Sequence, residues 1–190
     1  NVCYLMDIDG TVIASSNRNT LSNFVGNNYF FRPYFQKAIE RNPSIYMALG
    51  ITSGKRGVYF SYPVFDLDYK SPIGVAVIKA SFNDIEKEIT ESSEGIMMLT
   101  DPHGIVFLSN RENMILKSLW TLSSDENNEL QNSKQFGNGP WDWTGIQIDY
   151  EAKEAFDQSG NKYLTHHLKL DNYQGWELIY LHFDEVIINK

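Results

Sequence analysis

Leu5-Met6-Asp7-Ile8-Asp9-Gly10-Thr11-Val12-Ile13-Ala14-Ser15 and, 94 residues later, Leu99-Thr100-Asp101-Pro102-His103-Gly104-Ile105-Val106-Phe107-Leu108-Ser109 are two versions of one pattern. Each is an apolar strand, an Asp-x-x-Gly turn and a second apolar strand ending in Ser. Asp side chains bond to nearby backbone and Gly supplies the positive φ at which a chain reverses, so each copy reads as a β-hairpin. Repetition at half the chain length predicts two related modules, 1–93 and 94–190.

Working outward from the first hairpin, Ser16 to Asn28 is polar, and Phe31, Tyr34, Phe35, Ala38 and Ile39 then recur at helical spacing with Pro33 suited to a first turn. Strand patterns follow at Ile45 to Gly50, Val58 to Val64 and Ile73 to Ala80, separated by glycine turns. Residues 82–92, with Ile85 and Ile89 four apart, read as a linking helix. The second half repeats the order less clearly: Met114 to Trp120 reads as helical, Ser123 to Gly139 as a long polar loop, and Gly145–Ile148, Lys162–Leu170 and Trp176–His182 as strands. Asp184 to Ile188 reads as the start of another helix. The expected fold class is α+β, two tandem modules that are each an antiparallel sheet with flanking helices.

The 190 residues carry 16 Lys+Arg and 24 Asp+Glu, a net charge of -8, which argues against a nucleic-acid partner. The charge is uneven: residues 1–93 hold nine basic and nine acidic side chains, and 94–190 hold seven and fifteen. The lone Cys3 forms no internal disulfide, and no run of about 18 apolar residues is present to span a membrane. The N-terminus, Asn-Val-Cys-Tyr-Leu-Met, reads as the inside of a strand, which points to a segment of a longer protein whose flanking transmembrane helices are absent here.

Met6-Asp7-Ile8-Asp9-Gly10-Thr11-Val12 resembles the first motif of haloacid-dehalogenase-type phosphatases. That resemblance implies Asp7 as nucleophile, Asp9 as acid/base and a magnesium ion, with Ala48 to Ser53 and Lys79 as the later motifs. No Asp-Asp or Gly-Asp-x-x-x-Asp follows Lys79 to complete the metal site, and the second copy of the hairpin keeps Asp101 and Gly104 but has His103 in place of Asp9. A shared turn accounts for both copies.

The stretch Asn23-Phe24-Val25-Gly26-Asn27-Asn28-Tyr29-Phe30-Phe31-Arg32-Pro33-Tyr34-Phe35, with Tyr4 to Gly10 before it and Ala48 to Lys79 after it, resembles the double Cache sensor domains of bacterial receptors. The match is closest to the extracytoplasmic sensors of four-carbon-dicarboxylate histidine kinases. This resemblance implies two PAS-like modules of a periplasmic, non-catalytic sensor, the first binding a small carboxylate and the second passing the signal to the membrane, with the receptor a homodimer. It implies no cofactor and no metal. The ligand-binding positions it implies are Tyr29, Arg32 and Tyr34 at the helix and its approach, Thr52 and Ser53 in the loop after the first long strand, Tyr59 and Ser61 on the next strand, and Lys79 on the last.

Arg32 offers a planar fork for one carboxylate, and hydroxyls supply directional bonds. Lys79 stands where amino-acid-sensing relatives carry an acid, which favours a second carboxylate over an ammonium and hence a short dicarboxylate such as succinate, malate or fumarate. Tyr59 and Ser61 share one strand face by period two and are expected to meet the pocket together. Ligand binding is expected to draw the Arg32 helix end and the Lys79 strand together and to pass the change through residues 81–93. In the second half Trp120, Trp141, Trp143 and Trp176 read as core closure, adjacent His166 and His167 as opposite-facing residues that share no metal, and the acidic excess as a solvated surface.

Overall fold

Asp7 and Gly10 make the first turn in the way their side chains dictate. In the computed structural model, which describes residues 1–92, 94–171, 173 and 175–183, Asp7 Oδ1 accepts the backbone N–H of Asp9 at 3.0 Å and of Thr11 at 2.8 Å. Gly10 sits at φ +80°, where a Cβ would lie 2.7 Å from the Phe30 nitrogen. The turn joins β1 (Val2–Asp7) to β2 (Val12–Ser15), with Leu5 opposite Ala14, Met6 opposite Val12 and a bulge between Leu5 and Met6.

The chain then forms α1 (Pro33–Ile39), β3 (Ser44–Leu49), β4 (Arg56–Phe65) and β5 (Pro72–Ala80). The strands make one antiparallel sheet in the order β2-β1-β5-β4-β3. Alternation puts Tyr4 and Met6 of β1, Tyr59 of β4 and Val75 and Val77 of β5 on the buried face. Tyr34, Phe35 and Ala38 of α1 close that core. The helix begins at Pro33, two residues later than the spacing from Phe31 suggests, and Phe31 precedes it, 37% exposed.

The second hairpin copies the first. After α2 (Asn83–Ser92), β6 (Ile96–Thr100) and β7 (Val106–Ser109) pair with Leu99 opposite Leu108, Thr100 opposite Val106 and a bulge between Leu99 and Thr100. Asp101 Oδ1 accepts the N–H groups of His103 at 3.1 Å and Ile105 at 2.7 Å. With β8 (Gln147–Asp149), β9 (Glu154–Phe156), β10 (Lys162–Lys169) and β11 (Glu177–Phe183), the sheet runs β7-β6-β11-β10-β9-β8, the order of the first with one strand added. The fold is α+β, with antiparallel sheets of five and six strands and three α-helices among the described residues.

Two expectations for this half are corrected. Met114 to Trp120 is not a helix: one 3-10 turn, Glu112–Met114, is followed by Leu116 at φ +61°, and Ser118 then bridges to Ile105 of the hairpin. The polar stretch from Ser123 contains α3 (Ser124–Ser133). Its start is a capping box, in which Ser123 Oγ accepts the Glu126 N–H at 3.3 Å and Glu126 Oε2 accepts the Ser123 N–H at 2.7 Å. Trp141 and Trp176 are buried as expected, whereas Trp120 and Trp143 are 38% and 39% exposed beside an open groove. The helix expected at Asp184 to Ile188 lies outside the described residues.

The chain divides into two compact units, Asn1–Phe82 with Ser133–Gly137, and Asn83–Asn132 with the chain from Asn138 on. The Asp-x-x-Gly turns give the first test. Asp101 is 4% exposed, so Asp101→Ala strands the buried Ile105 N–H and the part-buried His103 N–H and is expected to lower stability by about 2–3 kcal/mol. Asp7→Ala, in a more exposed turn, is expected to cost about 1 kcal/mol, both read by chemical denaturation.

Candidate functional site

Strand alternation and register assemble the site in the first unit. On β4 the inward positions include Gly57, Tyr59 and Ser61, and on β5 they include Val75, Val77 and Lys79. Register sets Tyr59 directly opposite Lys79 on one side and Tyr46 on the other. Tyr34 of α1 stacks on Tyr59 with ring centroids 5.1 Å apart and planes 5° from parallel, and its hydroxyl shares a hydrogen bond with that of Tyr4 at 2.9 Å.

Arg32 caps the N-terminus of α1, where its carbonyl accepts the N–H groups of Phe35 and Gln36. That position turns its side chain inward, 3% exposed. Nη2 donates to the Leu49 carbonyl at 3.0 Å and Nη1 to the Lys134 carbonyl at 3.1 Å. The β3–β4 turn covers the site: Gly54 N–H bonds to the Gly50 carbonyl at 2.7 Å, and Tyr29 shares a 2.6 Å hydrogen bond with Thr52. Gly50 is required by close approach, since a Cβ there would lie 2.5 Å from both Lys79 Nζ and Ser53 Oγ.

A cavity of about 10 Å³ lies among these groups, walled by Tyr4, Phe24, Tyr34 and Tyr59, with Arg32 and the 50–53 turn completing it. That is room for about one water. Lys79 borders it through Ser53: Nζ donates to Ser53 Oγ at 2.6 Å and to the Lys55 carbonyl at 2.9 Å, and sits over the Tyr59 ring at 5.3 Å.

One cation thus lines the aromatic cavity and a second adjoins it through Ser53. Among the described residues neither Arg32 nor Lys79 has a carboxylate partner; both bond only to carbonyls and a hydroxyl. Burial, joined by the like charges of Arg32 and Lys55, pushes the Lys79 ammonium down to about 8. Burial pushes the phenols of Tyr4, Tyr29, Tyr34 and Tyr59 up, so all four remain protonated hydrogen-bonding groups.

Of the residues singled out in the sequence, Tyr29, Arg32, Tyr34, Thr52, Ser53 and Tyr59 line the cavity and Lys79 adjoins it. Ser61 does not. It shares the face with Tyr59, but one register row along it lies beneath α1, where Oγ donates to the Tyr34 carbonyl at 2.8 Å. Tyr4, Phe24, Gly50 and the carbonyls of Leu49 and Lys134 complete the site without having been anticipated. For Tyr4 the alternation of β1 is the signal; for Lys134 there is none.

Asp7 and Asp9 do not form a phosphatase site. Asp7 pairs with Gly74 and Lys79 with Val2, so the two are five residues apart along antiparallel strands, about 17 Å at about 3.4 Å per residue. Asp7 also spends Oδ1 on its turn. A larger open groove, about 820 Å³, lies on the other face of the same sheet against Leu5, Ile13, Phe60, Tyr62 and Ile78. It is mainly apolar and lacks the paired buried cations, so the chemistry belongs to the smaller cavity.

No family model matches the chain. It is 35% identical over 130 residues to the C4-dicarboxylate transport sensor protein DctB of Pseudomonas aeruginosa, covering 68% of this chain and 21% of that protein. To DctB of Rhizobium meliloti it is 32% identical over 139 residues, covering 73% of this chain and 22% of that protein. The chain therefore spans about a fifth of the length of these two relatives. Among solved structures it is similar to the sensor domain of the V. cholerae histidine kinase DctB, with TM-score 0.86, 32% identity, and coverage of 96% of this chain and 71% of that one.

The electrostatics of the site carry a prediction that needs no ligand. The Lys79 ammonium is expected to titrate near 8, followed by NMR of its Cε. Because Arg32 is a like charge, Arg32→Gln moves that titration upward, while burial, the larger cause, keeps it below the ordinary lysine value. A Lys79 that titrates as an exposed lysine would contradict this placement.

Proposed function

We propose that this chain, which belongs to the DctB family of periplasmic sensor domains, binds a four-carbon dicarboxylate between Arg32 and Lys79 of its first unit. It is a ligand-binding module and not a catalytic one. The observation that carries the ligand reading is the pair of buried cations, Arg32 lining the cavity and Lys79 adjoining it through Ser53, with no carboxylate partner for either among the described residues. Buried charge without an ion partner is costly, and a dianion supplies both missing charges at once. An amino acid would set its own ammonium against one of the two cations.

The donors suit this ligand. The Arg32 guanidinium has five N–H groups and commits two to carbonyls; the Lys79 ammonium has three and commits two. Charge-assisted bonds contribute about 1.5–3 kcal/mol each. A few of them, with the aromatic walls, reach the roughly 8 kcal/mol of micromolar binding after the costs of association.

A four-carbon acid is far larger than a cavity of about 10 Å³. Admission therefore separates the 50–53 turn from Arg32 and Lys79, and the ligand stabilises the arrangement that then re-forms around it. In the receptor as a whole this change passes to a kinase beyond a membrane helix, in a homodimer. No helix among the described residues is long and apolar enough to cross a membrane.

A thermal-shift comparison tests the reading. At a hundred times its dissociation constant a ligand adds about 2.7 kcal/mol to stability. Succinate, malate or fumarate is expected to raise Tm by several degrees, and acetate and free amino acids to do far less. Arg32→Ala removes the shift, and so does Gly50→Ala, whose methyl group occupies the cavity. Stabilisation by amino acids with none by dicarboxylates would refute the Lys79 argument.

A further inference from the structure

We propose that Ser133–Gly137 is a strap that carries the state of the ligand cavity to the second unit. The ligand-driven part of this proposal rests on the reading of the first unit as the dicarboxylate module. The chain leaves the second unit at Asn132, contributes these five residues to the first, and returns to the second at Asn138.

The strap is fixed to the sheet and to the site at once. β3 is an edge strand, and an unpaired edge needs cover. Gln135 supplies it: the Leu49 N–H donates to the Gln135 carbonyl at 2.8 Å, and Gln135 Nε2 donates to the Met47 carbonyl at 2.8 Å. Arg32 joins the two parts. One guanidinium holds the Leu49 carbonyl at the end of β3 and the Lys134 carbonyl of the strap. Phe31 lies under both cations, 5.3 Å from the Arg32 guanidinium carbon and 5.5 Å from Lys134 Nζ.

Such a strap transmits movement rather than absorbing it. It is five residues long, bent at Lys134 (φ +51°) and Gly137 (φ +85°), with the Gln135 N–H bonded to Ser133 Oγ at 3.1 Å. Its neighbours along the chain are anchored in the second unit. Leu130 of α3 is 1% exposed before it, and Trp141 is 5% exposed after it, with the Trp141 carbonyl accepting the buried Ser118 hydroxyl at 3.1 Å. Drawing Arg32 toward a ligand carboxylate either displaces the Lys134 carbonyl or breaks its bond. Either change reaches both anchors through a few residues of chain.

The tryptophans make this measurable. All four, Trp120, Trp141, Trp143 and Trp176, lie outside the first unit. In the 190-residue chain, succinate binding followed by calorimetry is expected to change tryptophan emission. Gln135→Ala, and separately a Gly-Gly insertion after Gly137 that leaves every contact of the strap intact but slackens its return, should still bind succinate and lose most of that change. An undiminished emission change in both variants overturns the strap, as does wild-type binding with no emission change.

A second arm uses no ligand. Arg32→Ala is expected to shift the emission of the chain, and to do so no longer when the Gly-Gly insertion is present. Thr20→Ala, which removes a side-chain bond to the Asn17 carbonyl elsewhere in the first unit, should leave emission unchanged. No shift with Arg32→Ala, or an equal shift with Thr20→Ala, overturns the proposal. If calorimetry shows no heat with any dicarboxylate, the ligand reading falls and this arm alone decides on the strap.

Discussion

The guanidinium of Arg32, shared between the Leu49 and Lys134 carbonyls, is the interaction on which the first unit turns. A permanently charged group at 3% exposure is tolerable only if its donors are met and its charge is balanced nearby. The structure meets two donors with backbone oxygens and softens the charge with the Phe31 ring. It adds a second cation, Lys79, rather than an acid. Helix start, edge strand and strap converge on that one side chain, and the proposed coupling of its position to the occupancy of the cavity rests on that convergence.

In the proposed reading, affinity and response at the site come from the same pair of buried cations. Burial first, and then the like charges of Arg32 and Lys55, depress the Lys79 ammonium; in the proposed reading a dianion relieves both the burial cost and the repulsion. On that reading, selectivity for two negative charges follows from the cation pair. The hydroxyls of Tyr29, Thr52 and Ser53 already bond within the site, Tyr29 to Thr52 and Ser53 to Lys79. In the proposed reading they are the partners that a ligand recruits.

The hairpins were legible because a turn is a local affair: Asp, Gly and two flanking alternations determine it. The repeat carried even the bulge, which falls between Leu5 and Met6 in one copy and between Leu99 and Thr100 in the other. Two misreadings arose where local signals were weak or read incompletely. The apolar run from Met114 to Trp120 has helical spacing, but it is recruited beside the hairpin through Ser118 and Ile105. The polar sequence of α3 hides its single deep anchor, Leu130, although Ser123-x-x-Glu126 announced a helix start. In the site, period two placed Tyr59, Ser61 and Lys79 on one face but did not say which register row the cavity occupies. Ser61 therefore read as a ligand group when it holds α1. The strap left no trace in sequence, because Arg32 and Lys134 are 102 residues apart and a backbone carbonyl has no side-chain signature.

The cation pair is tested most directly by proton uptake on ligand binding. Lys79 begins near 8 in the free protein, and a dianion beside it must raise that value, so between the two the complex holds more protons than the free chain. Calorimetry of succinate in two buffers of different ionisation heat, at pH about 9, is expected to show uptake approaching one proton. Uptake vanishes near pH 6 and in Lys79→Arg, and affinity falls as pH rises through 8. Tight binding with no proton uptake at any pH would contradict the claim that Lys79 and Arg32 together receive the ligand.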